Sequence, residues 1–184
     1  MAQNVLRSFR LSQEHCKVLE EDAKRKGISV NSLVSSLVTK YVEWDRLSEK
    51  FGRISITPEG YRDLMEFLTD EDIIEHGKKA GSRSAKEVTV FWYKTLNVDN
   101  FFRFLSIDSK YSGVYQYELE RDGGYCTLTL HHELGPKVTL FLRNYMDNAI
   151  RSIVGAVPTI ETHENAIVFN FKEPLGNSNS RRSA

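Results

Sequence analysis

Asn4-Val5-Leu6-Arg7-Ser8-Phe9-Arg10-Leu11-Ser12 is the stretch on which the reading of this chain turns. Phe9 and Leu11 alternate with Ser8 and Arg10 at period two, which predicts a short strand over residues 4–11. Side chains of a strand alternate between its faces, so Leu6, Ser8 and Arg10 share one face, and Arg7, Phe9 and Leu11 share the other. With Phe9 and Leu11 in a core, the first set faces outward. Arg7 then falls on the face to be buried: either its long stem carries the guanidinium past the core edge to a phosphate, or the strand begins only at Ser8.

Ser12 caps the helix that follows, Glu14 stands in its first turn, Val18, Leu19 and Ala23 form its apolar stripe, and Gly27 stops it. Ser29 caps a second helix, in which Val30, Leu33, Val34, Leu37, Val38, Tyr41 and Val42 recur at steps of three and four. That stripe is too wide for a free surface. A lone strand also leaves its backbone donors and acceptors unpaired. A second copy of the chain meets both needs: antiparallel pairing of residues 4–11 across a twofold axis satisfies the strand backbones, and the two sets of helices merge their stripes. An obligate homodimer is therefore expected, its core built from Phe9, Leu11, Leu33, Val34, Leu37, Val38 and Tyr41.

Residues 5–44 resemble a ribbon-helix-helix domain, the fold of the Arc and methionine repressors. The resemblance rests on Arg10-Leu11-Ser12 at the strand-to-helix junction, Ala23 near the end of the first helix, and Gly27-Ile28-Ser29-Val30-Asn31-Ser32 opening the second. It implies a dimer whose two-stranded ribbon enters the major groove of double-stranded DNA, and a transcriptional regulator, by default a repressor. Leu6, Ser8 and Arg10 would face the DNA from the ribbon, Arg7 would reach a phosphate from past the core edge, and Ser29 and Asn31 would hold phosphate. Arg10 has the donors for a bidentate pair with guanine O6 and N7, worth about 1–3 kcal/mol of discrimination, whereas Leu6 offers only contact with a thymine methyl. Free amides at the start of a helix carry partial positive charge, which suits Ser29 and Asn31 to a phosphate oxygen; Ser29 serves equally as a plain helix cap.

Charge restricts the alternatives. Lys+Arg 25 against Asp+Glu 25 excludes a chain that holds nucleic acid by bulk charge. Residues 1–50 hold nine basic and seven acidic side chains, net +2, leaving −2 for the rest, so salt dependence should be modest. Lys24-Arg25-Lys26 sits where a helix end favours cations whether or not it meets DNA. No apolar run approaches bilayer length and no leader pattern opens the chain, so a cytoplasmic protein without a membrane partner is expected. Cys16 and Cys126, too few for a disulfide framework, read as packed hydrophobes.

The first domain is expected over 1–48 and a second, of α+β class, over 52–175, with a polar tail at 176–184. In the second domain, residues 53–56 read as a strand, Thr57-Pro58 opens a helix carrying Tyr61, Leu64, Met65 and Leu68, and Asp70 and Gly81 bracket another. Ser84 and Glu87 stand at capping-box spacing, and Asn97 caps the next helix. Residues 115–120 and 126–131 alternate about Asp122-Gly123-Gly124 as a hairpin. A long helix then runs from Gly135-Pro136 to Gly155, and a second hairpin follows over 157–162 and 166–171. The overall reading is strand, helices, then ββαββ.

Little in this second domain supports chemistry. His131, His132 and Cys126 invite a metal reading, but adjacent strand residues point to opposite faces, and six residues span roughly 20 Å. No phosphate loop, nucleophile elbow or HExxH helix is present, Glu71-Asp72 suits a helix start, and His15 and Cys16 face apart. The expectation is no enzyme, cofactor or metal. The second domain would sense a small-molecule effector, recruit a protein partner or join dimers into larger assemblies. Two other classes share the first domain: an antitoxin, whose C-terminal part occludes a toxin, and a dimerising scaffold that never meets DNA.

Overall fold

A computed structural model describes residues 5–174. The chain is of mixed helix and sheet, α+β in organisation, and divides between Lys50 and Phe51 into two compact units.

In the first unit, residues 5–12 carry no regular structure, and Val5 to Leu11 are all exposed. The strand expected over residues 4–11 is thus absent from the single chain, and its first residue, Asn4, lies outside the described residues. The physical reason is that a strand exists by pairing, and this unit offers no second strand among its described residues. Helix α1 (Gln13–Lys26) begins at Ser12, whose hydroxyl accepts the His15 amide at 3.2 Å. It ends at Gly27, left-handed at φ 65°, where the Gly27 and Ile28 amides close back onto the Lys24 and Ala23 carbonyls. Helix α2 (Val30–Lys40) follows from Ser29, passes through a π-type turn (Tyr41–Asp45) and continues as α3 (Arg46–Phe51). The helical run therefore passes residue 48, where the first domain was expected to end. No Gly or Pro interrupts residues 28–51, and Gly52, at φ 81°, is the first residue that can end it.

The second unit departs at its start from the strand expected over residues 53–56. Residues 53–56 form no strand, for no sheet edge pairs with them. Arg53 is instead held by an ion pair to Asp108, and Ile54 is 90% exposed, so the alternation there reflects no core. Helix α4 (Pro58–Glu66) starts at Thr57, whose Oγ1 accepts the Gly60 amide. Helix α5 (Asp70–Ser82) starts with a reciprocal capping box between Thr69 and Asp72. Helix α6 (Ser84–Tyr93) departs from expectation: Arg83, not Ser84, stands at its start, and no side chain caps it. Glu87 bonds the Arg83 guanidinium at 2.8 Å rather than a backbone amide, because α5 runs almost directly into α6. Helix α7 (Val98–Ser112) is capped by Asn97, in line with expectation.

Strands β1 (Gln116–Asp122) and β2 (Tyr125–His131) join through Gly123 and Gly124, both at positive φ, as a two-residue hairpin turn of this hand requires. Helix α8 (Pro136–Ala149) runs on through a π-type turn (Ile150–Val154) to Gly155. Strands β3 (Thr159–Thr162) and β4 (Ala166–Lys172) complete an antiparallel sheet of order β1-β2-β4-β3.

Cys126, Leu128 and Leu130 of β2 and Ile167, Phe169 and Phe171 of β4 are buried on one sheet face. Phe101, Leu105, Met146 and Ile150, from α7, α8 and the turn beyond it, are fully buried with them, each stabilising by about 1.5–3 kcal/mol. Helix α5 lies hard against α8: a Cβ placed at Gly81 would stand 2.1 Å from the Tyr145 carbonyl oxygen. The aromatic residues of α6 and α7 are packing residues, with Phe51, Phe91, Trp92 and Phe104 in successive edge contacts of 5.0–5.7 Å between centroids.

Candidate nucleic-acid interface

Leu6, Arg7, Ser8 and Arg10 all lie in the exposed segment before α1, Leu6 at 92% exposure. This segment carries two arginines and no acidic side chain between Val5 and Ser12. Its apolar members are no better covered: Phe9 is 75% exposed and Leu11 is 52% exposed.

Ser29 and Asn31 are brought together at the start of α2. The Ser29 hydroxyl accepts the Ser32 amide at 3.1 Å and lies 2.8 Å from the Ser32 hydroxyl. Ser29 therefore acts as the helix cap, with its oxygen committed to that role. The first amides of a helix have no acceptor within it, so those of Val30 and Asn31 point outward beside the exposed Asn31 side chain. Ser32, named above only as the last residue of the turn motif, is the partner that fixes the Ser29 cap.

The expected dimer-core residues split. Leu33 is buried at 3% exposure and Val34 is half-buried, while Leu37, Val38 and Tyr41 are exposed along the same stripe of α2. In the first unit the buried hydrophobic residues are Ala23, Leu33 and Trp44, among those described. Trp44 escapes the sequence pattern, because the apolar stripe of α2 ends at Val42.

In the second unit, the three residues of the metal reading are placed apart. Cys126 is buried and its thiol donates to Glu173 Oε1 at 3.2 Å. Burial foremost, then Glu173, pushes that thiol up to about 11. His131 is exposed on the open sheet face, whereas His132 is buried. His132 Nδ1 accepts the Leu134 amide, so its proton sits on Nε2, 3.0 Å from Thr139 Oγ1. Thr139 in turn donates to the Glu164 carbonyl, and burial lowers the imidazole's pKa. No group of three His, Cys, Asp or Glu is placed to hold a metal ion among the described residues.

No protein-family model, curated protein or solved structure matches the chain. No described helix is long and apolar enough to cross a membrane.

Proposed function

We propose that this chain is a sequence-specific DNA-binding regulator of transcription, acting as a homodimer in which residues 5–11 of two copies pair as a ribbon. One observation carries the reading: the first unit leaves Phe9, Leu11, Leu37, Val38 and Tyr41 exposed and buries few apolar side chains of its own. A unit of this size needs a far larger buried apolar area to offset its chain entropy. A second copy would supply it. The extended segment, with unpaired backbone and alternating faces, is the element that such a copy would pair.

Pairing would set Leu6, Ser8 and Arg10 of both copies on the outer face, where arginine and serine donors suit base edges in a major groove. The outward amides at the start of α2 would then seat a phosphate oxygen on each side, fixing register. Repression by occupying an operator is the simplest regulation this geometry supports, and a cytoplasmic location is part of the same proposal.

The test is selection of bound sites from random DNA by the full-length chain, together with sedimentation at working concentration. Inverted half-sites and a dimer are the expected result. Single subunits, or no enriched sequence, would overturn the reading; a dimer that enriches nothing would make the unit a scaffold.

A further inference from the structure

The second unit carries a groove of about 690 Å³ at one end of its sheet, lined by Arg62, Ser109, Tyr115, Gln116, His131 and Glu133 among others. Its volume falls in the range of small-molecule sites. Two features set it apart from a surface crevice. Its wall comes from α4, the end of α7, the start of β1 and the segment after β2, elements distant in sequence that only the fold assembles. Its donors are also uncommitted: among the described residues, neither the Arg62 nor the His131 side chain has a hydrogen-bond or ion-pair partner. Elsewhere in this unit, Arg53, Arg83, Arg121 and Arg151 are each held by a carboxylate within 3.2 Å, whereas Arg103, over the Tyr93 ring at 4.8 Å, and Arg143 have none among the described residues.

We propose that this groove binds a small organic acid bearing one carboxylate. Arg62 presents a planar fork matched to carboxylate oxygens, and His131 adds a ring N–H. Gln116 offers both a donor and an acceptor to the rest of the ligand. Glu133 selects against more highly charged anions by repulsion, and it favours a ligand that carries a hydroxyl or ammonium group beside its acid. The wall at Tyr115 is firm, because that residue is buried at 7% exposure. All of these residues belong to the second unit, so the site does not depend on whether the first unit binds DNA.

The test is calorimetric titration of the full-length protein with lactate and leucine as probes, and with citrate and inorganic phosphate for comparison. Lactate or leucine should bind with Kd below about 5 mM, and amide shifts in nuclear magnetic resonance should move at Tyr115, Gln116 and His131. Arg62→Gln and His131→Gln, both at exposed positions, should each weaken binding about tenfold, with Arg103→Gln as a control that leaves it unchanged. The proposal is overturned if neither probe reaches about 5 mM, or if Arg62→Gln binds as tightly as the parent chain. It is equally overturned if citrate or phosphate binds more tightly than both.

Discussion

The guanidinium of Arg53 stands 2.8 Å from the carboxylate of Asp108, a residue 55 positions further along the chain. Burial foremost, then the charge of Asp108, raises the pKa of the Tyr115 hydroxyl, and Arg53 lies 5.5 Å from the centroid of the Trp92 ring and 5.7 Å from that of Phe104. One carboxylate on α7 thus anchors the opening segment of the second unit through Arg53.

Asp108→Asn keeps the shape and removes the carboxylate charge that faces the half-buried Arg53 guanidinium at 2.8 Å. Removing one partner of a buried pair costs about 3–5 kcal/mol, and the partial exposure of Arg53, 29% for its side chain, brings the expected loss to about 2–3 kcal/mol. Urea denaturation with an unchanged slope should read it. A loss below about 0.5 kcal/mol would show the pair to be no more than a surface contact.

Gly81→Ala should destabilise, although alanine in a helix is normally worth about 1 kcal/mol over glycine. The new Cβ would stand 2.1 Å from the Tyr145 carbonyl oxygen, which is backbone and has no rotamer to escape into. Forcing α5 away from α8 is expected to cost about 1–3 kcal/mol net, seen as a lower Tm. A raised Tm would mean that the two helices do not cross as closely as described.

The hydrogen bonds of His132 require its neutral form, with Nδ1 accepting from Leu134. Its pKa is lowered in the folded state from the ordinary value near 6.5, so the unfolded chain binds the extra proton first. The stability contributed by this residue is complete above about pH 6.5 and declines as pH falls through the folded-state value. Denaturation midpoints between about pH 7.5 and 5 should show this decline, and His132→Asn should flatten it. An unchanged slope in the variant would remove His132 as the cause.

Cys126, with its thiol pushed up to about 11, should resist alkylation in the native protein. Cys16 is half-buried on α1 and should react first. Mass spectrometry of a brief iodoacetamide pulse decides it: equal labelling would contradict the burial of Cys126.

Arg10→Ala should weaken specific DNA binding by about 1–3 kcal/mol, roughly 5- to 150-fold, while leaving the dimer intact. Leu37→Asp would place a charge in the stripe that two copies are proposed to share, and should abolish dimerisation and DNA binding together. Gel-shift titration and sedimentation read the two effects separately. DNA binding by Arg10→Ala at parental strength would remove the ribbon from recognition.

Local rules are legible in the amino-acid sequence alone. Serine, threonine and asparagine before apolar runs locate the starts of α1, α2, α4 and α7, since a cap is a contact between residues three apart. The Gly123-Gly124 turn and its flanking alternation locate the first hairpin for the same reason. The rules fail where a distant partner competes. Ser84 loses its capping role to the continuity of α5 into α6, and residues 53–56 lose their strand to the Asp108 ion pair.

By itself, then, the chain determined the starts of α1, α2, α4 and α7, its hairpins, its α+β class and the alternation of residues 4–11, because each is written within a few neighbouring residues. Only the tertiary structure decided that β2 pairs with β4, that glycine lets α5 meet α8 at the Tyr145 carbonyl, and that Arg62 and His131 line one groove. Those are contacts between residues tens of positions apart, and their geometry comes from packing the whole unit at once, which no local pattern encodes.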